Sequence, residues 1–267
     1  MSHKNKIAEL FLGCLQYGAP TTDNDTEIAM IRRYKFQNIG DDKKMRSCID
    51  LLEDTECAII NFCEYQLCTN LKKDDLGERY LRLYGVLNAI YLQIHSIIEI
   101  AEVVKYPLKK KVINDFFNHK IFELRNIAGS HMVNYKTGKS ETFISPPNRL
   151  NYFRLTQCDF KRDGQSVVMV DGFGNYENFN LRELVYDYNI ISENWLISIC
   201  EKYTGTLFKT NPNLKSKYHE VLNDLKKVPF DYRKLDKHKN VEALRMRKIE
   251  KILAEIEARN RTYNSGE

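Results

Sequence analysis

The sequence predicts a mainly α-helical protein: a helical bundle with a small β-hairpin insertion and a C-terminal amphipathic helix. Three observations carry this expectation. Apolar residues recur at helical spacing through two long stretches between residues 41 and 105. Two runs rich in β-branched and aromatic residues flank the Asp163-Gly164 step, the pattern of a hairpin. Near residue 240 the chain begins a further amphipathic stretch, with an apolar stripe opposed by charges of both signs.

Taken in order, residues 1–40 read as an N-terminal helix and loop. MSHKNKIAELFLGC has a short apolar run broken by Glu9, and GAPTTDNDT over 18–26 has loop composition. Met45, Ile49, Leu52, Cys57, Ile60, Phe62 and Cys63 predict a helix over 42–68, with Asp41 or Asp42 as its cap. TNLKKDDLGE interrupts the pattern, and a second helix is expected over 77–105, ended by Pro107. A third helical segment starts near Leu108 and breaks around Asn118. Its continuation to Tyr135 holds no proline and a single glycine, Gly129, which costs on the order of 1 kcal/mol of helix propensity. TGKSETFISPPNRL is a loop by composition, and YFRLTQCDF and QSVVMVDGF form the expected hairpin at about 151–173. Leu181, Leu184, Val185, Tyr188, Ile191, Trp195, Leu196 and Ile199 predict a helix over 180–203. The chain thus divides into 1–40, a helical domain over 41–204 that contains the hairpin, and a helical extension over 205–267. In the extension Leu244, Ile249, Ile252, Leu253 and Ile256 make an apolar stripe for packing on the body or on a partner. Nucleic-acid contact through Arg245, Arg247, Lys248 and Lys251 is the weaker reading, because four glutamates are interleaved with them.

With 267 residues, 43% of them hydrophobic, the chain can bury a substantial core. Seven cysteines without a CxxC pair or nearby zinc-spaced histidines argue against a disulfide scaffold or structural zinc. The apolar stretch Leu87–Val104 carries Gln93, His95, Glu99 and Glu102, so no membrane span is expected, and the start lacks an export-type signal. A cytoplasmic location follows as an expectation. The net charge of +5 permits a polyanionic partner without requiring one.

The sequence contains no GxxxxGK[ST], no GxGxxG after a strand, no HExxH and no GxSxG, which argues against P-loop enzymes and the common dehydrogenases, zinc proteases and hydrolases. The glycines of VDGFGNY follow a hairpin instead of opening a strand-to-helix unit, a poor setting for a phosphate cradle. His95 with Glu99 and Glu102 lacks a second helix to complete a metal site, and no cofactor is expected. His3, His119, His219 and His238 read as surface residues and Trp195 as core.

The informative cluster is LRNIAGSHMVNY, residues 124–135, which places Arg125, Asn126, Ser130 and His131 within seven positions among apolar neighbours. Arg125 and His131 lie about 120° apart around an ideal helix, a spacing that flanks a groove. Histidine can take a proton from a ribose 2′-hydroxyl or give one to a leaving oxygen. Arginine can hold a phosphate in bidentate fashion and offset charge developing on its oxygens. Lys109, Lys110 and Lys111 can neutralise neighbouring phosphates or simply solvate a helix start. The same Arg, Asn and His also suit a structural role, capping a neighbouring helix or joining a buried polar network.

At these residues the chain resembles the HEPN superfamily of all-α domains, whose signature is an Arg, often followed by Asn, with a His four to six residues beyond. Arg125, Asn126 and His131 match it with five residues between the Arg and the His, on a helix that follows two long ones. The resemblance covers about 41–135, extends to 180–203 if the hairpin is an insertion, and leaves 205–267 unexplained. Met132 and Val133 stand where family members often carry proline or aspartate. What it implies is a homodimer whose two motifs share one cleft, and metal-independent cleavage of RNA. Arg125 would hold phosphate, His131 would act as acid or base, and Asn126 would orient the site. Ser130 and Lys109, Lys110 and Lys111 are candidate substrate-binding residues on their own chemistry. It further implies a toxin or phage-defence effector restrained by an antitoxin or regulatory protein. The alternative is a non-catalytic helical module that binds a partner protein.

Overall fold

The structure, a computed structural model, describes residues 2–17, 27–69, 75–129 and 153–237. Their element order is α1 His3–Tyr17, α2 Glu27–Tyr34, α3 Asp41–Tyr65, α4 Leu76–Val103, α5 Lys109–Phe117, α6 Lys120–Gly129, β1 Phe153–Leu155, β2 Val167–Asp171, β3 Tyr176–Phe179, α7 Leu181–Leu207 and α8 Pro212–Lys227. A 3-10 turn, Tyr232–Leu235, follows. The fold is mainly helical with a small three-stranded antiparallel sheet inserted between α6 and α7.

The two long helices expected from periodicity form an antiparallel pair, α3 and α4, at the centre of the bundle. Gly40, at φ 87°, turns the chain into α3, and the Asp41 carboxylate accepts hydrogen bonds from the backbone N–H of Gln37 and Asn38 at 3.2 and 3.0 Å. Asp75 caps α4 by accepting from the N–H of Gly77 and Glu78. By length and composition α4 could cross a membrane, yet most of its apolar span is buried inside the bundle, where it packs against α3, α5, α6 and α7. One apolar core runs from Ile7 on α1 to Tyr232 in the 3-10 turn.

The break expected around Asn118 is real: α5 ends at Phe117 and α6 begins at Lys120. Four details depart from the sequence expectation. Gly40, not Asp41 or Asp42, stands at the N-cap of α3, where no side chain caps the helix, and the Asp41 carboxylate instead serves the N–H groups that precede it. The stretch over 27–40, where the sequence signals are mixed, contains a second short helix, α2, beyond the single N-terminal helix expected. Asp163-Gly164 is not the tight turn of a two-strand hairpin, because residues 156–166 form a longer connection folded onto the helices. There Leu67 N–H donates to the Arg162 carbonyl at 3.0 Å and Arg182 N–H to the Gly164 carbonyl at 3.2 Å. The tight turn lies instead at Asp171–Asn175 and leads into a third strand, β3, which the sequence reading placed outside the hairpin. The Asp171 carboxylate accepts from the N–H groups of Phe173 and Asn175, both at 2.8 Å, so VDGFGNY is a strand connection.

Asn180 and Asn211 cap α7 and α8 with their side-chain oxygens. Through Leu222 and Leu225, α8 packs on α7 and contributes to the common core. The expected loops over 18–26 and 137–150 and the amphipathic stretch from 241 lie outside the described residues.

Candidate functional site

The site of interest is assembled on α6 and on the outward face of α4. The sequence starts α6 with an unusual cap: His119 Nδ1 accepts a hydrogen bond from the Ile121 N–H at 3.1 Å, which satisfies one of the free donors of the first turn. That role requires Nδ1 to carry a lone pair. Burial lowers the His119 pKa below its usual 6.5, against a smaller opposing pull from the Asp187 carboxylate, so the environment favours the form that can accept.

Ile121, Leu124, Ile127 and Ala128 turn the apolar side of α6 into the core against α4 and α7. That rotation leaves Phe122, Arg125 and Asn126 half-buried on the outer flank. The Arg125 guanidinium lies over the Tyr91 ring of α4, its central carbon 3.8 Å from the ring centroid, and Nη1 donates to Asn126 Oδ1 at 3.1 Å. No carboxylate pairs with Arg125 among the described residues. A guanidinium has five N–H donors in a planar fork, so one ring face and one amide oxygen leave most of them available.

Tyr91 belongs to a closed group of rings. Its centroid is 4.4 Å from that of His95 and 6.2 Å from that of Phe122, with Phe122 inclined by 23°. Phe122 stacks on Phe117 at 4.6 Å and 22°, and Phe117 closes the circuit to His95 at 6.2 Å. Phe117 is 42% exposed and the others are half-buried. Of these residues only His95 is a candidate from the sequence, as a metal ligand; Tyr91, Phe117 and Phe122 are not singled out there. The available signal is Tyr91 and His95 at i,i+4 on one helix, with two phenylalanines flanking the α5–α6 break.

Of the other expected site residues, Ser130 and His131 lie outside the described residues. Two of the three lysines of α5, Lys109 and Lys111, have partners of their own elsewhere on the bundle. All three start the helix, and its rise puts Lys109 about 12 Å along the axis from Phe117, the α5 residue that reaches the ring group. Lys109 bonds the Glu102 carboxylate and Lys111 Nζ lies 5.8 Å from the centre of the Trp195 ring, whereas Lys110 is exposed. Glu99 is paired with Lys44 at 2.8 Å, and no group of three His, Cys, Asp or Glu is placed to hold a metal among the described residues.

Of the histidines expected at the surface, His119 is half-buried as the cap of α6, and two more depart in the same way, while His238 lies outside the described residues. His3 is half-buried, with Nδ1 2.7 Å from Glu193, because α1 docks against α7; His219 is half-buried near Glu201. Trp195 is half-buried at the edge of the core, its ring set edge-on to Tyr106.

A second polar cluster is sealed in the core. Lys4 and Glu56 are both fully buried and 3.0 Å apart. Lys4 Nζ also donates to Gln93 Oε1 at 2.9 Å and Asn189 Oδ1 at 2.5 Å, so the three ammonium protons have three acceptors. Tyr232 donates to Glu56 at 2.5 Å and Tyr188 to Gln93 at 2.8 Å. Burial pushes the Glu56 pKa up, but the Lys4 charge and the Tyr232 and Ser2 hydroxyls outweigh it and hold the carboxyl below its usual value. This cluster joins α1, α3, α4, α7 and the 3-10 turn, and its full burial marks it as structural.

No family model, curated protein or solved structure matches the chain.

Proposed function

We propose that the chain is a HEPN-like endoribonuclease that cleaves RNA without a metal. The observation that supports this best is Arg125, braced on Tyr91 and Asn126 with no acidic partner among the described residues, six positions before His131 in the sequence. A cation held in one orientation with unspent donors at a half-open surface suits the binding of a phosphodiester.

In the proposed reaction the ribose 2′-oxygen attacks the adjacent phosphorus. The P–O2′ bond forms and the P–O5′ bond breaks. The 2′-hydroxyl proton passes to a base and the departing O5′ takes up a proton, giving a 2′,3′-cyclic phosphate and a 5′-hydroxyl. Arg125 holds the non-bridging oxygens, Asn126 fixes the guanidinium, and His131 serves as base or acid. Ser130 and the lysines of α5, Lys109, Lys110 and Lys111, are assigned to RNA contact, with Lys110 exposed. In a homodimer, two copies of His131 at one cleft divide the two proton transfers. The resemblance to toxin and phage-defence nucleases supplies the biological setting, including restraint by an antitoxin or regulatory protein.

The test is cleavage of total RNA and tRNA in excess EDTA by the wild type, Arg125→Ala and His131→Ala, with end-group analysis. The expected result is cyclic-phosphate ends from the wild type and a loss of at least a hundredfold in each variant, both remaining folded. Equal activity in all three would overturn the assignment of these residues. Absence of cleavage, with stable capture of a partner protein that His131→Ala leaves unchanged, would favour the interaction module.

A further inference from the structure

We infer that the ring group beside Arg125 is a stacking platform for an unpaired nucleobase, placed so that the phosphate of the same strand reaches the guanidinium; this rests on the ribonuclease reading above. Phe117, Phe122, Tyr91 and the Arg125 guanidinium form a continuous run. Successive ring pairs are inclined by only 22° and 23°, and the cation closes one end. At the other end Phe117, at 42% exposure, offers a ring to solvent. Stacking of bases on aromatic faces tolerates any base, while a fixed cation at the end of the run supplies the complement to a backbone phosphate. His95 edges the run and, like Arg125, has no carboxylate partner among the described residues.

The size of the platform favours a base over a protein. A stable protein interface needs about 800 Å² per partner. An aromatic side chain presents about 150–250 Å², and the rings of this group are already stacked on one another, with Phe117 alone among them largely exposed. What remains open matches one heterocycle.

The probe is a 2′-O-methylated single-stranded oligonucleotide, which binding can hold but 2′-hydroxyl chemistry cannot cut. It carries 2-aminopurine to report stacking and fluorescein to report overall binding by anisotropy. The expected result is 2-aminopurine quenching by the wild type, about tenfold weaker binding with loss of quenching in Phe117→Leu, and recovery of both in Phe117→Trp. An oligonucleotide abasic at the reporting position should bind the wild type about as weakly as Phe117→Leu binds the intact one, with no further loss when the two changes are combined. Binding that is equal in wild type and Phe117→Leu, or wild-type binding without quenching, would overturn the platform even where RNA cleavage is intact. Phe117-dependent quenching by a protein that cuts no RNA would support the platform and refute the nuclease reading. Weakened self-association of Phe117→Leu in sedimentation, with oligonucleotide affinity unchanged, would identify the rings as a protein interface and overturn the proposal.

Discussion

Replacing Lys4 by Met removes a cation from a sealed compartment and leaves the Glu56 carboxylate there without its counter-charge. Methionine fills much of the lysine stem, so the perturbation is electrical more than steric. Gln93 and Asn189 would each lose the ammonium donor at 2.9 and 2.5 Å, while Tyr232 and Gln93 would still donate to Glu56. Removing one member of a buried ion pair costs about 3–5 kcal/mol, which at this chain length lowers Tm by roughly 6–20 °C. The loss should depend on pH. In the wild type the Glu56 pKa lies below its usual 4.5, so its stabilising effect is present above that value and fades as pH falls through the folded-state pKa. Without Lys4, burial dominates and raises the folded pKa, so the variant gains relative stability as the carboxyl takes up a proton. The gap between the proteins should therefore be widest near neutral pH and narrow below about pH 4.5. Urea denaturation of wild type, Lys4→Met and Lys4→Met/Glu56→Leu at several pH values measures this, and the double variant should recover much of the loss. A cost under about 1 kcal/mol, or a gap that does not change with pH, would refute the reasoning.

His119→Leu should cost about 1 kcal/mol by removing the cap on α6, and His119→Asn should retain most of it, as chemical denaturation would show. Because the folded-state pKa of His119 is depressed, its contribution is complete above about pH 6.5 and declines as pH falls toward the folded value; the Leu variant should lack that component of the pH profile. Gly13→Ala would place a Cβ 2.6 Å from the Tyr218 hydroxyl oxygen; the cost of displacing it, about 1–3 kcal/mol, is offset by about 1 kcal/mol of helix propensity, so a net loss of up to about 2 kcal/mol is expected, and Tyr218→Phe in the same chain should turn the substitution neutral or stabilising.

Features carried by local periodicity were legible in the sequence. The apolar residues of α3 and α4 repeat every three or four positions, and the break between α5 and α6 falls where Asn118 and His119 interrupt the pattern. Strand β3 was hidden because, of YENF, only Phe179 is buried, so alternation has little apolar contrast to display. Lys4 was hidden for a different reason. It resembles one more basic residue near the N-terminus, and the acceptors that make its burial tolerable stand far along the chain at Glu56, Gln93 and Asn189. The Arg125-Asn126 pair was visible as a motif, while its support by Tyr91 depends on how α4 and α6 are rotated against each other.

That rotation ties the sealed cluster to the open site. Gln93 and Tyr91 are two positions apart on α4, about 200° around an ideal helix, so they occupy nearly opposite faces. Gln93 is locked inward by hydrogen bonds with Lys4, Tyr188 and Thr55, and a helix pinned there has little freedom to turn Tyr91 away from Arg125. The buried polar cluster is thus one of the contacts that fix the rotation of α4, alongside its apolar packing against α3, α5, α6 and α7, and that rotation presents Tyr91 to Arg125. If the proposed ribonuclease reading holds, loosening the cluster without unfolding the bundle should weaken RNA binding before it alters the helix content. Gln93→Leu is the substitution to pair with Lys4→Met in that comparison, because it cuts the link at α4 itself while keeping an apolar side chain of similar size in the core.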